Sequence, residues 1–148
     1  MARPRNPKNW CFNCGTRHHS KKHQLCNKCG QLKAAIDFGS IKKSDCEAQN
    51  ARHRYQSIRH HGHRLFKAAG IEKRCAVCHY SYYVELCHIR SIECFPEDAS
   101  FNTINSFDNL AYLCPNHHKE LDLGALQPND IESHKFTIPE NIKNAPKM

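Results

Sequence analysis

Apolar residues recur at three- and four-residue intervals after Ser44, which is the spacing of one face of an α-helix. The repeating positions are Ala48, Ala51, Tyr55, Ile58, Leu65 and Ala69. Ser44 and Glu47 stand in the S-x-x-E order of a capping box, and Gly70 suits the helix end. Gly62 could divide the helix. The pattern predicts an amphipathic helix whose polar face is rich in arginine and histidine.

A period of two replaces this pattern before His88 and predicts a strand that ends there. Alternate residues fall into two sets on opposite faces: Tyr82, Val84 and Leu86, and Tyr83, Glu85 and Cys87. Residues 96–107 show no helix or strand period, and Pro96 argues against continuation of the strand. This stretch is therefore expected to be a long loop.

Two further segments are expected near the end of the chain. A turn at Pro115 leads into a helix that runs from His117 through Leu121 and ends near Gly124. The residues after Gln127 predict an irregular segment appended to the fold.

Two short cysteine pairs near the N-terminus predict a metal site. They follow a C-x₂-C-x₁₁-C-x₂-C pattern with a glycine after each pair, and they are Cys11, Cys14, Cys26 and Cys29. Such spacing is typical of a Cys₄ zinc knuckle or ribbon. The module is either a purely structural staple or a staple that also presents basic side chains to a partner, and the second interpretation is favoured.

A second ligand set lies in the middle of the chain. Cys75 and Cys78 form one pair, Cys114 and His117 form another, and 35 residues separate the pairs. Two such pairs can complete the tetrahedral coordination of Zn²⁺. A closed Cys₃His site has no open position for water, so the predicted role is stabilisation of the fold rather than catalysis.

Composition supports metal staples in place of a large core. The chain has 148 residues, with 39% hydrophobic residues, a mean hydropathy of −0.75, ten cysteines and twelve histidines. No apolar run approaches membrane-spanning length, and the first residues lack the apolar core of a signal peptide. An intracellular protein with reduced thiols is therefore expected. In that compartment C-x-x-C pairs are more often metal ligands than disulfides.

The net charge of +8 is unevenly distributed. Residues 1–74 contain 17 Lys and Arg against 4 Asp and Glu, whereas residues 75–148 contain 5 against 10. The basic half indicates a polyanionic partner, for which double-stranded DNA is the prediction, and a solvated basic surface is the alternative. The predicted DNA contacts are Arg17, Lys21, Lys22, Arg52, Arg54, Arg59, Arg64, Lys67 and Arg90.

Other residues between Cys75 and Asp122 suit hydrolysis. His118 and Asp122 lie four residues apart, so on a helix they share one face and can hold one cation together. An imidazole with a carboxylate oxygen suits Mg²⁺, Mn²⁺ or a similar ion with open positions. His88, at the end of the predicted strand, could act as a general base.

These residues give the stretch a specific resemblance. The segments 86–90, 108–110 and 113–118 read LCHIR, DNL and LCPNHH. In order, spacing and residue type they resemble the HNH nuclease family, which is built on the ββα-metal (His-Me) finger and here carries a zinc clamp. The resemblance covers about 50 of the 148 residues.

The resemblance implies roles for individual residues. His88 would activate the attacking water, Asn109 would brace the loop between strand and helix, and His118 would bind the catalytic cation. Asp122 falls where the family often has a second helix-borne ligand. Cys87 stands where the family commonly has a metal-binding Asp or His. The expected products carry 5′-phosphate and 3′-hydroxyl ends.

The predicted fold is therefore a small α+β protein, with a zinc-stapled ββα-metal finger preceded by a Cys₄ module and a basic helix. The predicted segments are 1–40 for the Cys₄ module, 41–73 for the helical arm, 74–126 for the HNH module and 127–148 for an extension. The predicted function is a metal-dependent DNA endonuclease of the homing, restriction or phage type. Its expected cofactors are two structural Zn²⁺ and a catalytic divalent cation, and cutting of both strands would be easiest for a homodimer.

Two other functions remain open at this stage. One is a zinc-stabilised DNA-binding protein whose nuclease site has decayed, because the soft thiolate of Cys87 could favour Zn²⁺ over a hard cation. The other is a protein-interaction or redox module. It is less favoured, since cysteines that hold zinc are not free to exchange.

Overall fold

The computed structural model describes residues 10–11, 13–16, 25–46, 51–131 and 136–144. In these residues a two-stranded sheet is surrounded by short and long helices. In chain order the elements are α1 (Asn27–Phe38), α2 (Ala51–Ala69), β1 (Glu85–His88), α3 (Phe101–Ile104), β2 (Leu110–Leu113), α4 (Pro115–Asp122) and α5 (Glu140–Lys143). Single 3₁₀ turns occupy Lys43–Asp45, Ile92–Cys94 and Pro128–Asp130.

The long amphipathic helix is present as α2. It continues through Gly62, so the division of the helix that this glycine could have caused is absent. Gly62 lies close to Asn105, the residue that follows α3. A Cβ at Gly62 would lie 3.2 Å from Asn105 Oδ1. Gly70 has a φ of +73°, the left-handed conformation of a helix end. Ser44 lies in the turn Lys43–Asp45, and its predicted capping partner Glu47 lies outside the described residues.

The strand before His88 is shorter than its alternation predicts. β1 begins at Glu85 and pairs antiparallel with β2, so that Glu85 lies opposite Leu113 and His88 opposite Leu110. Tyr82 and Tyr83 precede the paired residues and are exposed. Side-chain alternation gives the sheet two faces. We call Glu85, Cys87, Ala111 and Leu113 the α4 face, and Leu86, His88, Leu110 and Tyr112 the α2 face.

The expectation of a long loop at 96–107 is wrong, because α3 lies inside it. Ser100 caps this helix by accepting a hydrogen bond from the Thr103 N–H at 3.1 Å. Phe101 and Ile104 are completely buried on its inner side. A single turn contains too few residues for its period to be detected in the sequence. Similarly, α4 begins earlier than predicted, at Pro115, whose fixed φ suits the first helical position.

Each face of the sheet packs into its own apolar cluster. The α2 face joins Leu32 and Ala35 of α1 and Leu65 and Phe66 of α2. The α4 face packs in a second cluster with the side chains Cys75, Cys87, Ala111, Leu113, Cys114, Leu126 and Ile131. A third cluster connects Ile58 of α2 with α3 and the turn Ile92–Cys94. The sheet is thus enclosed on both sides, which fixes where each residue of β1 points.

Residues 136–144 of the predicted C-terminal extension contribute to the fold. Ile142 of α5 is 1% exposed and belongs to the cluster of the α2 face. The Lys33 ammonium group on α1 donates a hydrogen bond to the Lys143 carbonyl at 3.1 Å. One core therefore joins residues from all four predicted segments. Among the helices that the structure describes, none is both long enough and apolar enough to cross a membrane.

Candidate functional site

The four N-terminal cysteines converge as their spacing predicts. We call Cys11, Cys14, Cys26 and Cys29 the N-terminal cluster, and their sulfurs all lie within 4.8 Å of one another. The Cys14 and Cys26 sulfurs are 3.7 Å apart. Zn–S bonds of about 2.3 Å in a tetrahedron place two sulfurs about 3.8 Å apart, so the cluster can hold zinc.

Local hydrogen bonds connect the members of this cluster. The backbone N–H groups of Cys14 and Cys29 donate to the sulfurs of Cys11 and Cys26, each at 3.5 Å. Because Cys26 is also the N-cap of α1, the same contact begins that helix. The side-chain hydroxyl of Thr16 and then its backbone N–H lower the pKa of Cys14 to about 6. A lowered pKa favours the thiolate of Cys14, which is the form that binds metals, whereas burial raises the pKa of Cys26 and of Cys29.

The second predicted ligand set also converges, and we call Cys75, Cys78, Cys114 and His117 the central cluster. The Cys78 and Cys114 sulfurs are 3.8 Å apart. His117 turns Nδ1 toward the cluster, 3.5 Å from Cys75 Sγ and 3.2 Å from Cys114 Sγ. The cluster connects α4 to the segment before β1, because two of its members come from each of these places. In the same region the Ala76 N–H donates a hydrogen bond to the Tyr112 carbonyl of β2.

His88 lies on the α2 face at the end of β1 and is half-buried. Its Nε2 is 2.6 Å from Asn105 Oδ1. Burial lowers the pKa of His88, and the nearby Arg59 and His63 lower it further, while the bond to Asn105 acts in the opposite direction. His88 is therefore uncharged at neutral pH, as a general base must be.

Sequence reasoning did not identify Asn105. This residue is completely buried, and its amide nitrogen donates to the Ile58 carbonyl at 2.8 Å and contacts His61 Nδ1 at 2.9 Å. His61 is 1% exposed, and its Nε2 lies 2.8 Å from the Ala35 carbonyl. No local signal announces this network, because its members are far apart in the chain.

The side chain of Asn109 makes three hydrogen bonds to backbone groups. Its side-chain oxygen accepts from the Arg90 N–H at 2.8 Å, and its nitrogen donates to the carbonyls of Arg90 and Ile104 at 3.1 and 2.9 Å. These bonds clasp the residues after β1 to those before β2. The clasp fixes the end of β1, where His88 lies.

The predicted cation ligands lie on the other face of the sheet. His118 Nδ1 is hydrogen-bonded to Glu85 Oε2, a partner that sequence reasoning missed, and His118 Nε2 is 3.7 Å from Asp122 Oδ2. Burial, then the charges of Glu85 and Asp122, raise the pKa of Cys87 to about 12. Among the described residues, Cys87, His118 and Asp122 are not one of the groups whose ligand atoms lie within 4.8 Å of one another.

The predicted DNA-binding residues differ in their surroundings. Helix α2 contains no carboxylate, and four of its basic residues are exposed: Arg52, Arg59, Arg64 and Lys67. Arg54 instead pairs with Glu97 at 3.0 Å. Arg90 lies 4.5 Å from the centre of the Phe95 ring and donates to the Cys94 carbonyl. Arg17, Lys21 and Lys22 lie outside the described residues.

Comparisons of the chain with protein families, with curated proteins and with solved structures found no match.

Proposed function

We propose that this chain is a metal-dependent DNA endonuclease of the HNH type, with β1, β2 and α4 as its ββα-metal finger. The observation that carries the proposal is the environment of His88 at the end of β1. It is uncharged, bonded through one nitrogen to Asn105, and close to Arg59 and His63 of α2. A general base next to a cationic side chain, here Arg59, suits attack on a phosphate.

The alternative role for His88 is simple packing, and His61 shows how such a residue would look. His61 is 1% exposed and has polar contacts at both ring nitrogens. His88 is half-buried, and only its Nε2 has a hydrogen-bond partner among the described residues. This asymmetry supports a functional role for His88.

In the proposed reaction His88 removes a proton from water, and the resulting hydroxide attacks phosphorus in line. The bond from phosphorus to the 3′ oxygen breaks, and that oxygen takes a proton from water. The products carry 5′-phosphate and 3′-hydroxyl ends. Arg59 and the other exposed cations of α2 hold the DNA backbone through its phosphates. Asn109 keeps His88 in place through its clasp on Arg90.

The chemistry of His118 fits a hard divalent cation. Glu85 accepts the Nδ1 proton of His118, which leaves Nε2 directed toward Asp122, an arrangement that is common for metal-binding histidines. We therefore assign Asp122 and His118 as ligands and Glu85 as the residue that orients His118. Cys87 is a weak candidate, because among the described residues its sulfur belongs to neither group of close ligand atoms. When bound, the cation would stabilise negative charge on the phosphate and on the departing oxygen.

The proposal also makes a geometric demand. His88 projects from the α2 face of β1, whereas Glu85 and Cys87 belong to the α4 face. The scissile phosphate must therefore reach both groups around the end of β1. Cutting of both strands would further require two active sites, which a two-fold dimer on double-stranded DNA would supply.

Plasmid cleavage tests the proposal. Zinc-loaded protein is incubated with supercoiled DNA and Mg²⁺, Mn²⁺ or Ni²⁺, beside His88→Ala protein of equal zinc content. Cleavage by the original chain alone, with 5′-phosphate ends, is the expected result. Absence of cleavage with every cation would contradict it.

A second function has a specific observation in its favour. Since Cys87 does not gather with His118 and Asp122 among the described residues, the chain could be a zinc-stabilised DNA-binding protein whose nuclease site has decayed. In that case the original chain and His88→Ala would bind DNA equally tightly, and neither would cut it.

A further inference from the structure

A buried chain of hydrogen bonds runs from α1 to His88. It begins at the Ala35 carbonyl and passes through His61, which lies 2.8 Å away at Nε2. His61 Nδ1 is 2.9 Å from the Asn105 amide nitrogen, and Asn105 Oδ1 is 2.6 Å from His88 Nε2. Ala35, His61 and His88 belong to α1, α2 and β1, and Asn105 is the C-cap of α3.

The hydrogen positions along this chain follow from its two backbone ends. A carbonyl only accepts, so His61 must carry its proton on Nε2 to donate to Ala35, and its Nδ1 is then an acceptor. The Asn105 NH₂ group supplies one hydrogen to His61 and the other to the Ile58 carbonyl, 2.8 Å away. Reversing the amide would turn its oxygen toward two acceptors, so the orientation is fixed.

His88 receives its tautomer from this arrangement. The side-chain oxygen of Asn105 accepts, so His88 must donate from Nε2. In a neutral imidazole the other nitrogen, Nδ1, then carries the lone pair. A general base needs a lone pair that points in a defined direction. The Asn105 amide sets that direction by holding His88 Nε2.

We propose that Asn105 is a positioning residue for His88, and that His61 fixes the orientation of the Asn105 amide, so that His88 presents Nδ1 to the attacking water. The inference rests on the proposed nuclease function. It makes α1, which also carries Cys29 of the N-terminal cluster, part of the support of the catalytic base.

The close packing around Asn105 agrees with a positioning role. Asn105 is completely buried, although a buried asparagine is uncommon unless its amide is bonded. Gly62 lies against it, and a Cβ there would make a tight contact of 3.2 Å with Asn105 Oδ1. The amide is thus held in its place by packing as well as by hydrogen bonds.

A matched pair of variants on α3 tests the inference. Asn105→Leu breaks the chain of hydrogen bonds to His88. Asn102→Leu removes a comparable bond, the 2.8 Å donation from Asn102 to the Ile36 carbonyl of α1, without touching His88. Single-turnover cleavage is measured at saturating protein, and DNA affinity is measured separately. Displacement of a catalytic group typically costs about 10- to 100-fold in rate. We expect that loss for Asn105→Leu with unchanged DNA affinity, and less than about a twofold change for Asn102→Leu.

A second readout does not depend on cleavage. The His88 Nε2–H should exchange slowly with water and give a ¹H–¹⁵N imidazole resonance in zinc-loaded protein. We expect that resonance to be lost in Asn105→Leu and kept in Asn102→Leu. His61→Phe keeps a ring between Phe38 and Phe101 and serves as a variant that preserves packing. It should slow cleavage by a smaller factor than Asn105→Leu does.

Three results would overturn the inference. Equal rate losses in the two asparagine variants would show that tethering of α3 matters and that positioning of His88 does not. A His88 proton found on Nδ1 would contradict the tautomer. A wild-type chain that keeps the Nε2–H resonance but cuts no DNA would remove the proposed function and leave the network purely structural.

Discussion

The two faces of the β1–β2 sheet are secured by different chemistry. On the α4 face, the central cluster gathers three thiols and an imidazole within reach of one ion. On the α2 face, a buried amide and a buried histidine are satisfied by hydrogen bonds alone. A closed ligand set stabilises a small fold but leaves no reactive position. A histidine such as His88, whose Nδ1 has no hydrogen-bond partner among the residues that the structure describes, remains able to react.

The largest expected effect comes from breaking the central cluster. Structural zinc contributes about 10–16 kcal/mol in zinc-finger peptides, which matches or exceeds the total stability of an ordinary domain. Cys75→Ser should therefore lose stoichiometric zinc and the cooperative unfolding transition. Circular dichroism and metal analysis would measure both.

The control for that variant is Cys94→Ser, because Cys94 is exposed and belongs to neither cluster. It should retain both zinc ions and the unfolding transition. Equal stability of the Cys75 and Cys94 variants would contradict the view that the α4 face depends on metal.

Removing the carboxylate behind His118 should have the next largest effect. Loss of such an orienting partner typically weakens metal affinity by about 10- to 100-fold. Glu85→Gln should shift the Mg²⁺ or Mn²⁺ dependence of cleavage to higher concentration by that factor while zinc content stays unchanged. Glu93→Gln, an exposed change outside the α4 face, is the control. An unshifted cation titration would exclude Glu85 from the site.

The exposed face of α2 can be probed by salt. Each lost phosphate contact lowers the slope of log affinity against log salt by about 0.9 on double-stranded DNA. Arg59→Ala should show that reduction. Arg54→Ala should show less, because Arg54 is already paired with Glu97. Identical slopes for both variants and the original chain would place DNA elsewhere on the molecule.

The smallest effect concerns pH and the buried histidine. Burial first, and then Arg64, lower the pKa of His61, while its bond to Ala35 opposes the shift. Below a pH of about 6.5 the unfolded chain therefore binds a proton that the folded chain does not. The free energy of unfolding consequently decreases as the pH is lowered. His61→Phe should lose this part of the acid sensitivity. Denaturant unfolding at several pH values would measure this. The difference in free energy of unfolding between the original chain and His61→Phe should narrow as the pH is lowered.

The contrast between the faces also explains which features could be predicted from the sequence. The ligands of both clusters come in pairs with fixed local spacing, and all eight of them could be identified from that spacing. The helical period of α2 could also be detected in the sequence, because the helix is nineteen residues long. Both signals are local and repeated.

The features that escaped prediction depend on distant partners. Asn105 contacts residues 17, 44 and 47 positions away, and nothing beside it in the chain marks it as buried. Glu85 meets His118 from 33 positions away. The single turn of α3 is defined by burial of Phe101 and Ile104 rather than by a period. Such relations arise only when the sheet and its two covering layers are assembled.

The most direct test of the central claim compares the original chain with His88→Ala in single-turnover cleavage of DNA, with zinc content and DNA affinity matched. A general base contributes about 10²- to 10⁴-fold to a rate, so a loss of that size at unchanged affinity is the predicted result. Cleavage by His88→Ala at the original rate would contradict the assignment of His88 as the base, and with it the proposed nuclease mechanism.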